Sequence, residues 1–461
     1  MKKFSYRLLL VFLIPALVFS CKDDNDIEEE PIPAEVLSRN AWIKENMEDL
    51  YFWNNKIPNI DETKEADSEE YFYKLVYDTE DEWSWITDDY PSLAAEYSGV
   101  PVTMGYAPAF YLLQDNSSVV MVVKYVYPGS AAAGAGLKRG DLIISINNTN
   151  LNTSNYYSLY SGTSYSVQLG AINNNVISPT GTSLSMTARV TTTNPSIHHE
   201  VITVNSHKIG YLAYVEFISG DQDVFLHALD NIFTEFNTSG ITDLVVDLRY
   251  NPGGEIDAAA YLASAIAPAS VVAAKDVLVN MRYNNDLQAY LEYYSTQYAH
   301  YLAYRFTEVG ANANLQRVYF LATDRTASAS ELLMTGLEPY MDVIHIGEAT
   351  YGKYAGAWVM ADDDEQWAMI PIVMKYANKN GYTDFVNGLQ PDYPMDDDIF
   401  GAVPFGDPSD PMLAKAIELI TGETAVASVK SAKTEILRQQ VVPKEELLKQ
   451  NLIVPRIGFE K

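Results

Sequence analysis

Four apolar runs, KIGYLAYVEF at 208–217, DLVVDLRY at 243–250, VYFLAT at 318–323 and VIHIGE at 343–348, alternate with stretches patterned as helices. Such alternation predicts an α/β arrangement, because each run has strand length and β-branched or aromatic content while the segments between follow helical spacing. Helices are expected near 222–237, after Gly254, and over SASELLMTGLEPY, which starts at Ser328. A tyrosine-rich insertion, roughly 275–315, interrupts the pattern and reads either as a substrate lid or as a packed helical excursion.

The 461 residues exceed one ordinary domain, and an apolar content of 48% is enough for two or three cores. A formal charge of −30 repels phosphate surfaces, so nucleic acid is not an expected partner. Residues 1–20 join a basic start (Lys2, Lys3, Arg7) to an apolar run, Leu8 to Phe19, that is too short to span a bilayer. They read as a signal peptide. The run ends at Cys21, the one cysteine of the chain, so no intrachain disulfide is possible.

The tetrad Val18-Phe19-Ser20-Cys21 looks like a bacterial lipobox, with small Ser20 before the cysteine and bulky Phe19 departing from the common pattern. That makes Cys21 the expected lipidation site and a lipid anchor the expected contact with the membrane. Residues 21–33 are acidic and contain prolines, as a flexible tether does. Their KDD start resembles the surface-export signal of Bacteroidetes lipoproteins, which implies an outer membrane lipoprotein at the cell surface. Read as a plain acidic linker, the same stretch leaves the protein on the periplasmic face.

Residues 34–95 place Trp42, Ile43, Met47, Leu50, Tyr51 and Trp53 at intervals of three and four, predicting a small helical N-terminal unit whose aromatics pack. Residues 96–195 change to short β-branched runs around PGSAAAGAGLKRGDLIISINN. There Ser130 can cap a short helix, Gly136 can close it, and Gly140-Asp141 can turn into a strand. The stretch resembles a PDZ domain of bacterial proteases, which implies that a peptide adds to a sheet edge with its carboxylate near Thr103-Met104-Gly105-Tyr106. Gly105 and Tyr106 are therefore the peptide-binding candidates. Residues 196–422 hold the α/β alternation, and the tail 423–461 is Lys-rich and helix-prone.

Ser328 and Lys353 lie 25 residues apart, downstream of the glycine turn DLRYNPGG. A serine hydroxyl is a poor nucleophile until a base takes its proton, and an amine is a base only when burial leaves it neutral. The pairing therefore predicts a dry pocket around Lys353. Ser328 opens a helix, so the N–H of Ala329 is a candidate donor to an oxyanion, and Gly253 in the tight turn is the second. Ser330 is the rival nucleophile.

DLRYNPGG, TASASE and GEATYGKYAG, in this order behind a PDZ-like stretch, resemble the C-terminal processing (tail-specific) serine proteases of Ser/Lys type, and WIKENMEDLYFW resembles the N-terminal unit of their Bacteroidetes branch. The resemblance implies an α+β and α/β multidomain fold: a helical N-terminal unit, a PDZ-like β domain and an α/β core that is crotonase-like and ClpP-related. It implies Ser328 as nucleophile, Lys353 as general base, a protein or peptide substrate and no cofactor.

Relatives often carry a glutamine four residues after the lysine to orient it, whereas this chain has Ala357. The second reading is a non-catalytic protein that binds peptides or apolar ligands on the same fold. The six histidines show no HExxH spacing, so no metal site is expected, and the acidic runs Asp362 to Glu365 and Asp396 to Asp398 read as solvated loops rather than calcium sites. His345 reads as a strand residue with a satisfied ring, a Ser/His arrangement with Ser328 being the lesser option, and Asp247 and Arg249 read as braces of the strand end.

Overall fold

In the computed structural model residues 31–174, 176–423, 437–441 and 453–454 are described. The expected signal peptide, Cys21 and most of the expected tether lie outside them. The expected strands form the centre of a six-stranded sheet in which His207–Tyr214, Asp243–Asp247, Arg317–Ala322 and Asp342–Gly347 run parallel. Ser196–Val204 adds antiparallel at one edge and Tyr393–Pro394 parallel at the other. Every residue of Asp243–Asp247 is buried, as a strand covered on both faces requires.

Side chains alternate between two cores across this sheet. Leu212, Tyr214, Leu244 and Val246 pack with the helices Val224–Ser239, Ile256–Ile266 and Ala329–Leu337, while Tyr211, Ala213, Val245 and Leu321 meet the helix Pro411–Thr421. The helix Ala329–Leu337 is buried along its whole length, its apolar residues packing and its polar Ser330, Glu331 and Thr335 side chains hydrogen-bonded.

The tyrosine-rich insertion is a packed excursion. It contributes the strand Val277–Tyr283, the helices Asn285–Tyr293 and Ser295–Leu302, and the strand Ala303–Arg305 to a second sheet with Ile372–Asn378 and Ala355–Trp358. Leu287 and Leu291 enter the main core, and the Asn284 side chain donates to the carbonyls of Asp49 and Tyr51 at 3.0 and 3.1 Å.

The N-terminal unit has helices at Ala34–Leu50, Ser68–Leu75 and Tyr90–Tyr97, and its strand Trp85–Thr87 pairs antiparallel with Ala368–Ile370. Ile43, Met47, Tyr51 and Phe72 share a core with Ala355, Ala357, Ile370 and Ile372. This unit thus closes over the strands that follow Lys353.

In the PDZ-like unit the expected local chemistry is present: Ser130 Oγ accepts the Ala133 N–H at 3.1 Å, and Gly136 ends the helix Ala131–Ala135 at φ +89°. Arg139 ties this unit to the core by donating to the Tyr250 hydroxyl at 2.8 Å and the Val403 carbonyl at 3.0 Å. In the tail, the described residues depart from the helical reading. Residues Leu437–Val441 form a strand antiparallel to Tyr106–Leu113, with Leu437 opposite Leu113 and Val441 opposite Phe110, and Ile453–Val454 adds parallel to Ala357 and Trp358. Open main-chain donors and acceptors at two sheet edges capture these segments, outweighing weak local helix propensity.

Candidate active site

Three loops that leave the carboxyl ends of adjacent parallel strands converge on one place. The strand Asp243–Asp247 leads into the Asn251-Pro252-Gly253-Gly254 turn, Arg317–Ala322 leads to Ser328, and Asp342–Gly347 leads to Lys353. Side chains of open α/β sheets meet at these ends because each following helix or loop reverses over the sheet there.

Ser328 caps the helix Ala329–Leu337 at φ +60° and ψ −112°, a conformation that costs a non-glycine residue on the order of 1–3 kcal/mol. Neighbouring hydrogen bonds impose it. Thr326 Oγ1 donates to the Leu248 carbonyl at 2.7 Å, and the Ala327 N–H donates to the Asn251 carbonyl at 3.1 Å. Ser328 is fully buried, and its Oγ has no hydrogen-bond partner among the described residues. The rival Ser330 differs: its Oγ donates to the Asn251 carbonyl at 3.2 Å.

Glu331 binds the serine and lysine segments together. Its Oε2 accepts the main-chain N–H of Ser328 and of Lys353, each at 2.8 Å, and its Oε1 accepts the Gly352 N–H at 2.7 Å and the Thr350 hydroxyl at 2.5 Å. Burial pushes this carboxyl up to about 7 despite the four donors. The Tyr376 hydroxyl adds a second link, 3.2 Å from the carbonyl oxygens of both Ser328 and Lys353. Sequence reasoning gave Glu331 no role, although Ser-x-x-Glu at a helix start is a signature of a carboxylate that reaches back to the main-chain N–H of the capping residue, as Glu331 does to Ser328. Tyr376 and Thr350 carry no such signal.

Lys353 is fully buried, with its Nζ 5.7 Å from the centre of the Trp83 ring. Removal from water brings its pKa down to about 7, against the opposing pull of Asp81, Glu331 and Glu82. The dry pocket expected around this amine is therefore present. Position 357 supplies nothing polar, since Ala357 lies in the strand Ala355–Trp358 within the apolar core.

Gly253 sits against the serine at φ +110°, where a Cβ would come within 2.7 Å of Ser328 Cβ and 3.0 Å of the Ala329 nitrogen. Its N–H donates to Asn251 Oδ1 at 2.9 Å. Ala329 holds the first helical position, whose N–H has no acceptor within its own helix. Arg249 braces the turn from behind, its buried guanidinium shared among Asp247, Asp397 and Asp410 at 2.6 to 3.0 Å. Asp397, read from sequence as part of a solvated acidic loop, is thus an ion-pair partner.

The remaining candidates lie elsewhere. His345 is a buried strand residue, but its ring is not satisfied: neither nitrogen has a hydrogen-bond partner among the described residues, burial lowers its pKa to about 4, and no hydrogen bond joins it to Ser328. In the PDZ-like unit the Gly105 N–H donates to Thr103 Oγ1 at 3.1 Å, and a Cβ on Gly105 would meet Ser130 Cβ at 2.2 Å. Tyr106 is buried with its hydroxyl 2.9 Å from that of Tyr165, and Thr103, Met104, Tyr106, Tyr127 and Tyr160 line a cavity of about 490 Å³. Among the described residues, no cluster of three His, Cys, Asp or Glu side chains is placed to hold a metal ion, and no helix is long and apolar enough to cross a membrane.

The profile of Peptidase family S41 matches residues 208–395, that of the Peptidase S41 N-terminal domain residues 38–85, and that of a PDZ domain residues 122–162. A carboxyl-terminal-processing protease of Picosynechococcus sp. is 24% identical over 345 residues, 74% of either chain. Carboxyl-terminal-processing peptidase 2, chloroplastic, of Arabidopsis thaliana is 26% identical over 308 residues, 65% of this chain and 53% of that one. The crystal structure of a putative S41 protease from Bacteroides fragilis superposes with a TM-score of 0.69 at 27% identity, covering 83% of this chain and 97% of the other. With the N-terminal, PDZ and protease-core profiles following one another along it, the chain belongs to peptidase family S41.

Proposed function

We propose that the protein is a serine endopeptidase of the C-terminal processing type, acting through Ser328 and Lys353. The observation that carries this reading is the shared Glu331 oxygen, which holds the main chain of a strained serine and that of a buried lysine. A neutral Lys353 takes the Ser328 Oγ proton as Oγ bonds to the scissile carbonyl carbon, and negative charge moves to the carbonyl oxygen. The Ala329 N–H stabilises that oxygen, joined by the Gly253 N–H once the oxyanion replaces Asn251 Oδ1 as its acceptor. The Lys353 ammonium returns the proton to the leaving amine as the C–N bond breaks. Water then yields a proton to Lys353 as its oxygen bonds to the acyl carbon, and Lys353 passes that proton to Ser328 Oγ as the acyl C–O bond breaks.

The PDZ-like unit captures a protein tail or unfolded segment, which raises the local concentration of substrate at Ser328. The test is cleavage of an unfolded protein with a free carboxyl end, comparing the natural chain with Ser328→Ala and Lys353→Ala. Each substitution should lower the rate by more than about 1,000-fold. Equal turnover in all three would leave the binding-protein reading, which the engaged Gly253 N–H and apolar Ala357 favour.

The reading extends to a lipid anchor on Cys21 that places the protein at the outer membrane. Cys21→Ala should move it from the membrane fraction to the soluble fraction, and protease shaving of intact cells tells the outer face from the periplasmic one.

A further inference from the structure

We infer that the N-terminal unit completes the lysine site, with Trp83 as the wall that keeps water from the Lys353 amine and Asp81 as the carboxylate that balances its charge. Its catalytic consequence rests on the dyad proposed above, whereas how Lys353 is enclosed does not.

Trp83 is 7% exposed and Asp81 is 4% exposed, so both belong to the interior although they lie far from Lys353 in sequence. Asp81 sets the turn that aims the indole. Its Oδ1 accepts the N–H of Trp83 at 3.0 Å and of Ser84 at 2.9 Å, and its Oδ2 accepts the Tyr51 hydroxyl at 2.7 Å and the Ser84 hydroxyl at 2.5 Å. Ser84 Oγ in turn accepts the Ile372 N–H at 2.8 Å, and Ile372 pairs with Ala357 on the strand that follows the lysine.

The turn from Asp81 to Ser84 is therefore bolted to the lysine's own sheet. Position 357 offers only a methyl group, whereas the Trp83 ring centre stands 5.7 Å from the amine. The charged groups acting on the amine are Asp81 and Glu82 from this unit and Glu331 from the helix after Ser328.

The two residues pull in opposite directions. Removing the indole admits water and favours the ammonium, so the titration midpoint of Lys353 rises; removing the Asp81 charge favours the neutral amine, so the midpoint falls. A purely structural role would not produce opposite signs. The measurement is NMR of the lysine Cε signals in the full chain labelled with [¹³C]lysine and carrying Ser328→Ala, with Lys353→Arg to assign the resonance.

Trp83→Ala should raise the midpoint and Asp81→Asn lower it, each by at least about threefold in the protonation constant. Trp83→Phe, which keeps an apolar wall, should restore most of the original value. Should Asp81→Asn fail to fold, as its four donors make possible, exposed Glu82→Gln tests the same sign with a smaller shift. Folded Trp83 and acidic-residue variants that leave the midpoint in place, or all move it upward, overturn the inference. Midpoints that move as expected without a matching move in the acid limb of peptidase kcat would keep it and remove Lys353 from the dyad.

Discussion

Ser328 and Lys353 share one acceptor: the main-chain N–H of each lies 2.8 Å from Oε2 of Glu331. The proposed nucleophile and its proposed base are thereby referenced to a single buried atom, so a small shift of either loop must break a hydrogen bond to Glu331. Such bonds are worth about 1.5–3 kcal/mol.

Replacing Glu331 with Ala removes the acceptor of three main-chain N–H groups and the Thr350 hydroxyl together. At about 1–3 kcal/mol for each buried donor left unmatched, the urea midpoint should drop well below that of the natural chain, and kcat should fall more than KM changes. An unchanged midpoint with normal kcat would show that the loops hold their positions without this residue.

Stability should respond to pH in two arms. Between pH 4.5 and about 7 the folded Glu331 keeps a proton that the unfolded chain has released, so this group makes stability fall as pH rises. Between about 7 and 10.5 the unfolded Lys353 holds a proton that the folded chain lacks, so this group makes stability rise. Lys353→Met should flatten the second arm only, removing a slope of at most about 1.4 kcal/mol per pH unit from urea unfolding curves. Parallel curves for the two chains above pH 7 would refute the neutral buried amine.

Gly253→Ala should abolish turnover and lower stability by about 1–3 kcal/mol. The added methyl would stand 2.7 Å from Ser328 Cβ at a positive φ that alanine resists. Thermal melting and a peptide-cleavage rate together check this, and a variant with natural activity would move the oxyanion site away from this turn.

Ending the chain after residue 436 uncovers the edge of Tyr106–Leu113 that Leu437–Val441 now occupies. A labelled extended peptide should then bind the truncated protein several-fold more tightly by fluorescence anisotropy, because it no longer competes with a tethered strand. Equal affinities would mean that peptides enter elsewhere on this unit.

Much of the fold follows from near-neighbour chemistry and was legible for that reason. Ser130 and Gly136 bracket their short helix by capping, and the apolar runs at 208–217, 243–250, 318–323 and 343–348 became strands because their composition suits no other buried element. The interval from Ser328 to Lys353 was readable too, as was a glycine turn beside them. Glu331 stood within reach of the same reading, one cap motif away. The described tail residues 437–441 and 453–454 differ from the helical reading because they meet two sheet edges whose bonding capacity is a property of other segments.

The linear order of residues thus determined which side chains could do acid–base and acyl chemistry, and which segments would become sheet. Tertiary structure alone decided that Lys353 is buried, that Trp83 stands beside it, and that Asp397 belongs to Arg249. The physical reason is that desolvation and charge pairing depend on what surrounds an atom in space, and those neighbours come from remote parts of the chain.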